Sequence, residues 1–94
     1  MNNNRLAFLH QFFEEDPNDP FNIYALAMEY QHSDVIQAAS FFTLLIENHP
    51  DYLPTYYHAA ALFAEMEQLD RAEQLYQKGM ELALIQQNTK TYQE

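Results

Sequence analysis

The sequence predicts an all-α fold of five helices connected as antiparallel hairpins. Three observations carry that expectation. Apolar residues recur at spacings of three and four along nearly the whole chain and never settle into a period of two. Proline with aspartate breaks the pattern at short intervals, at Asp16-Pro17, Asp19-Pro20 and Pro50-Asp51. A single glycine in 94 residues cannot supply the turns of a β-sandwich or barrel.

The helices follow in order. Leu6, Leu9 and Phe13 lie at i, i+3 and i+7, flanked by Phe8 and Phe12, and this first helix stops at Glu15-Asp16-Pro17 because the residue before a proline avoids the α region. Asp19-Pro20 restarts the chain, with aspartate as N-cap and proline at the first helical position. The second helix carries Ile23, Leu26, Ala27 and Tyr30 inward and ends near His32-Ser33. Asp34-Val35-Ile36-Gln37 reads as a capping box for a third helix with Ala38, Phe41, Phe42, Leu45 and Ile46. Asp51 and Pro54 open a fourth, with Tyr56, Ala59, Ala60, Leu62 and Phe63. Asp70-Arg71-Ala72-Glu73 reads as a second capping box, starting a fifth helix with Leu75, Tyr76, Gly79, Met80 and Leu82. Residues 87–94 form a polar tail expected to fray.

The second helix and third helix repeat in the fourth and fifth. A shift of 33 places Leu26-Ala27 on Ala59-Ala60 and Tyr30 on Phe63. A shift of 34 places Ala38, Phe42 and Leu45 on Ala72, Tyr76 and Gly79. Pro17 falls on Pro50 at 33, so the first helix matches the second half of an earlier unit. A helix–turn–helix unit of about 34 residues with a large residue, a small pair, an aromatic, then Ala-x-x-x-aromatic and a closing proline resembles the tetratricopeptide repeat family. The first unit supplies Ile23, Leu26-Ala27, Tyr30, Ala38, Phe42 and Pro50, and the second Tyr56, Ala59-Ala60, Phe63, Ala72 and Tyr76. The chain departs from the pattern at Ile23, where it prefers tryptophan or tyrosine, and at Glu67, where the inter-helix turn usually has glycine. Gly79 replaces a usual alanine, and Leu84 replaces the closing proline, so the last helix should continue. The resemblance implies a right-handed helical-hairpin solenoid. Residues 5–16 would be a half-repeat helix, 20–50 the first full repeat and 53–86 the second, all within one domain of residues 1–94.

Composition narrows the function. No cysteine means no thiol nucleophile, disulfide or zinc knuckle, and one glycine cannot build a phosphate-cradling loop. Fourteen carboxylates against four basic residues, a net charge of −10, leave no basic footprint for nucleic acid or an anionic membrane. The acidity itself serves either solubility or the steering of a basic partner. Without an apolar leader or an 18-residue apolar run, the expected location is the cytoplasm.

His10, His32, His49 and His58 show no metal-ligand spacing, and Glu14, Glu15, Asp16 and Asp19 lack the spacing and glycine of a Ca²⁺ loop. Ser33 and Ser40 stand outside any nucleophile elbow. No catalytic residue, metal or cofactor is expected. The reading is a protein-interaction module. Tyr24, Met28 and Gln31 form a stripe beside the core face of the second helix, and Tyr57, Ala61 and Ala64 repeat it on the fourth, flanked by His58 and Glu65. The family resemblance implies that these stripes face a groove for an extended peptide or a partner helix. The tyrosines serve either as groove contacts or as cover for the core beside them. Family members that clamp a terminal carboxylate use lysine, arginine and asparagine there; Tyr24, Met28, Tyr57 and Ala61 point instead to an apolar or basic partner. The alternative is a self-assembling, homodimeric scaffold that uses Phe8, Phe12, Leu84 and Ile85 at the apolar ends.

Overall fold

Five helices succeed one another in the computed structural model, which describes the backbone of residues 3–93 and the side chains of residues 4–87. They are α1 (Asn3–Glu15), α2 (Pro20–Tyr30), α3 (Val35–Asn48), α4 (Pro54–Glu65) and α5 (Leu69–Gln93). Among the described residues there is no strand. The tightest packing joins α2 to α3 and α4 to α5, the two hairpins; α1 lies on α2, and α4 lies on α3 and reaches α2. Leu84 does leave α5 free to continue, and its backbone stays helical to Gln93. The side chains of residues 88–94, most of the expected polar tail, lie outside the described residues.

The helix starts follow local chemistry, with two exceptions. Asp19 Oδ1 accepts the Phe21 amide at 3.0 Å and Pro20 opens α2, as its sequence requires. Asp34 Oδ1 accepts the Gln37 amide at 3.2 Å, but the Asp34 amide is taken by Tyr30 O at 2.7 Å, so the expected capping box is half made. Asp51 does not cap α4: the N-cap position belongs to Leu53, whose backbone is already helical and whose side chain has no group to offer. Pro54 removes one of the amide donors that would otherwise need a cap. Asp70 does not cap α5 either. The helix begins at Leu69, two residues earlier than a cap at Asp70 would set it, with Ala72 donating to Gln68 O at 3.0 Å, and Asp70 lies inside the first turn. Gln68 thus stands 34 residues after Asp34, at the same structural position.

The turn between α4 and α5 explains Glu67. Gln68 donates to Phe63 O at 2.9 Å and Glu67 donates to Ala64 O at 3.0 Å, the paired bonds of a Schellman motif. Its pivot must be left-handed, and Glu67 has φ 62°.

The core runs along the hairpin seams. Ile23, Leu26, Ala27, Ala38, Phe42, Leu45, Ala59 and Ala60 are at most 1% exposed. The alanines let helix axes approach, and the large side chains fill the spaces between. Gly79 completes that logic: a Cβ there would come within 2.8 Å of Tyr56 Cβ, so α4 and α5 meet more closely than an alanine allows.

Helix α1 is held differently. Leu6, Leu9 and Phe13 are half-buried, while Phe8 and Phe12 are exposed. Polar tethers fasten it to α2. Arg5 Nε lies 3.0 Å from Glu29 Oε1, His10 Nε2 is 2.7 Å from the Tyr30 hydroxyl, and Asn22 Nδ2 donates to Phe12 O and Asp16 O, each at 3.2 Å. The last pair adds a side-chain donor to two carbonyls that already accept backbone amides, Phe12 O from Asp16 and Asp16 O from Asp19.

Candidate functional site

The stripe residues occupy two clefts joined by a run of aromatic rings. Tyr24, Met28 and Gln31 line a cleft of about 510 Å³ on α2, together with Arg5 and Leu9 of α1 and with Phe21, Ala25, Glu29 and His32. Tyr57 and His58 line a second, of about 390 Å³, between α4 and α5. Leu53, Pro54, Tyr56, Leu75, Tyr76, Gly79, Met80 and Ala83 form the rest of its wall. Ala61, Ala64 and Glu65 line neither; the two alanines are half-buried and Glu65 is exposed. The bridge between clefts is edge-to-face packing. The Tyr24 ring meets Tyr52 at 5.9 Å and His58 at 5.7 Å, and Tyr57 meets His58 at 5.6 Å and Tyr76 at 5.9 Å.

Tyr24 and Tyr57 are 33 residues apart and equivalent in sequence, yet their surroundings differ. Tyr24 is half-buried because the following unit brings Tyr52 and His58 against it. Tyr57 remains 68% exposed. Burial raises the Tyr24 phenol above the ordinary tyrosine range. It does the same to Tyr52, where the charges of Tyr24 and Asp19 add to the effect, and to Tyr56, where Asp51 adds to it. The Tyr56 hydroxyl donates to Pro50 O. These phenols are therefore neutral at physiological pH and offer apolar area with a polar tip.

The histidines sit in structural or surface places. His10 bonds Tyr30 and packs edge-on to Phe41, His32 is exposed beside Gln31, and His49 closes α3 through its backbone amide, which donates to Leu45 O at 2.7 Å. His58 is held between the Tyr24 and Tyr57 rings. Among the described residues, no three His, Asp or Glu side chains gather as a metal site would require, and no helix is long and apolar enough to cross a membrane.

Phe8, Phe12, Leu84 and Ile85 are all about half exposed or more. Tyr76 and Met80, absent from the sequence-derived site, form the α5 wall of the second cleft. The repeat register held the signal for both: a shift of 34 carries the buried Phe42 and the half-buried Ile46 onto them.

No family model matches the chain, and no curated protein does. Solved structures do. A crystal structure of a tetratricopeptide repeat domain protein from Salinibacter ruber is 41% identical over 69% of this chain and 73% of its own, with a TM-score of 0.66. A solution NMR structure of a tetratricopeptide repeat domain protein from the same organism is 42% identical over 72% of this chain and 70% of its own, with a TM-score of 0.67. Identity at this level, over more than two thirds of each chain, joins the tandem 33–34-residue register and the buried pairs Leu26-Ala27 and Ala59-Ala60: the chain belongs to the tetratricopeptide repeat family.

Proposed function

We propose that this chain is a non-catalytic protein-interaction module that takes a peptide or helix of a partner protein along the stripe Tyr24, Met28, Gln31, Tyr57, His58, Ala61, Ala64 and Glu65. The observation that carries this reading is the aromatic run from Tyr24 through His58 to Tyr57, which makes one surface of two helices beside an open cleft. Tyrosine and methionine supply contact area that adapts to a partner with little polar cost. An apolar or basic peptide suits the surface, because its carboxylates outnumber its cations and Arg5 is engaged with Glu29. The working unit is the whole domain of residues 1–94, placed in the cytoplasm and away from nucleic acid and membrane.

The test is selection of peptides on the immobilised protein, followed by titration of the selected sequences. Met28→Asp should weaken binding by ~1–3 kcal/mol, and Tyr57→Ala by a similar amount. Tyr57 is exposed, and the melting temperature of its variant should hold. Met28 packs on the core, and its variant, expected to melt lower, is compared at a temperature where circular dichroism shows it folded. Wild-type affinity in both variants would remove the stripe from consideration.

A second reading, a homodimeric scaffold, draws on the exposure of Phe8, Phe12, Leu84 and Ile85. Light scattering across a wide concentration range separates the two, since a persistent monomer excludes the scaffold.

A further inference from the structure

The cleft between α4 and α5 occupies a place that the fold fills once already. In the first hairpin, α4 packs against α3 and reaches α2. A shift of 34 carries α3 onto α5, so that Val35, Phe42 and Ile46 correspond to Leu69, Tyr76 and Met80. Phe42 is wholly buried and Ile46 half-buried, whereas Tyr76 and Met80 are exposed, Met80 at 62%; Leu69 is exposed, as its counterpart Val35 already is. Leu69, Tyr76, Met80 and Leu84 form a stripe at i, i+7, i+11 and i+15, one face of a helix. Among the described residues, no helix covers it.

The seated helix α4 shows what such a slot accepts. Its Tyr56 and Phe63 face α5: Tyr56 meets the Gly79 backbone, and Arg71 of α5 stacks on Phe63 at 4.4 Å. Thr55, Ala59 and Leu62, at most 2% exposed, lie by helical spacing on the flank of α4 away from Tyr56 and Phe63, and the other helices that α4 packs on are α3 and α2. The seating face is therefore a small, small, large series at i, i+4 and i+7, and half-buried Met66 extends it to i+11.

Charge selects the occupant. Asp70, Glu73, Gln77 and Glu81 follow at i, i+3, i+7 and i+11 along the edge of the α5 stripe away from α4, and all are exposed. This row belongs to the open face alone, since the corresponding α3 positions are Ile36, Ala39, Thr43 and Glu47. Lys78 projects from the opposite side of α5 to Met80, and Arg71 is stacked on Phe63. A second copy laid α5 against α5 would oppose one acidic row to another.

We infer that the α4–α5 face is a docking site for a cationic amphipathic helix of a partner protein. Its apolar face would repeat the spacing of Thr55, Ala59, Leu62 and Met66, and lysines or arginines on one flank would meet Asp70, Glu73 and Glu81. This site shares Tyr57 and His58 with the proposed stripe but lies apart from the Met28 cleft.

The test uses three synthetic helical peptides, titrated by fluorescence anisotropy in physiological salt. The first carries Thr, Ala, Leu and Met at i, i+4, i+7 and i+11, with lysines along one flank. The second keeps the apolar face with glutamates on the flank, and the third keeps the lysines with serines on the apolar face. The first should bind the wild-type protein about tenfold or more tighter than either of the others. Met80→Glu should weaken it by about tenfold, Met28→Asp should leave it unchanged, and Glu73→Lys/Glu81→Lys should reverse the preference between the lysine- and glutamate-flanked peptides. All the substituted positions but Met28 are exposed, and a cooperative melt above the assay temperature confirms that each variant is folded. Binding that survives Met80→Glu, or that Met28→Asp abolishes, overturns the proposal. So does equal binding of the two lysine peptides, or a dimer that Met80→Glu converts to a monomer.

Discussion

Glu67, the pivot of the α4–α5 turn, and Gly79, within α5, both depart from the family pattern and are opposite in physics. Glu67 holds φ 62°, a conformation that costs a residue with a Cβ about 1 kcal/mol and costs glycine almost nothing. Glu67→Gly should therefore stabilise the protein by ~0.5–1 kcal/mol, read as a higher denaturant midpoint with an unchanged slope. Gly79 sits mid-helix, where alanine ordinarily gains about 1 kcal/mol. Here its added Cβ would stand 2.8 Å from Tyr56 Cβ, an atom bonded directly to the backbone and unable to swing aside. Gly79→Ala should destabilise by ~1–3 kcal/mol, since overpacking outweighs propensity. A melt in which Gly79→Ala is the more stable variant would mean that α5 slides without cost. The departures from the family pattern at 67 and 79 are thus not alike: one is tolerated strain, the other a packing requirement.

At the scale of the element, the two Asp-x-x-Gln/Glu motifs separate by their hydrogen bonds. Asp34 caps α3 through the Gln37 amide, and Asp34→Ala should cost ~1 kcal/mol. Asp70 lies within the first turn of α5, where it interacts only with the helix dipole, and Asp70→Ala should cost a few tenths. Equal losses in thermal melts would show that Asp70 caps in solution after all. Both motifs were legible in the sequence; their difference was not, because it depends on where the preceding Schellman turn hands the chain over. The same limit applies to α1. Its apolar spacing was plain, but the tethers from Arg5 to Glu29, from His10 to Tyr30 and from Asn22 to the carbonyls of Phe12 and Asp16 pair residues up to 24 positions apart. No local pattern encodes such pairs.

Across the whole molecule, the tyrosines link packing to pH. Tyr24, Tyr52 and Tyr56 are raised above the free value by burial, so the folded state prefers their neutral form. In the unfolded chain they ionise near pH 10. Their stabilisation is therefore complete below that value and is lost as the pH climbs through the raised folded-state values. A phenolate absorbance titration should show a component above the free-tyrosine range. It should vanish in denaturant and shrink in Tyr24→Phe. A titration that is identical folded and unfolded would contradict the burial of these rings. The net charge of −10 has no comparable folded-state anchor; it bears on which partners approach rather than on which fold forms.

Helical spacing, proline–aspartate breaks and a 33–34-residue register settled the helix order, the hairpin pairing and the inward set from Ile23 to Phe63, because these depend on residues near one another or on an exact internal copy. Exposure at equivalent positions came from packing between units. Tyr24 and Tyr57 share a sequence position, as do Phe42 and Tyr76, yet one of each pair is covered and the other open. In a repeat protein each unit contacts only its neighbours, so a residue's surroundings are set by whether a neighbour is present on that side, and only the assembled hairpins contain that information.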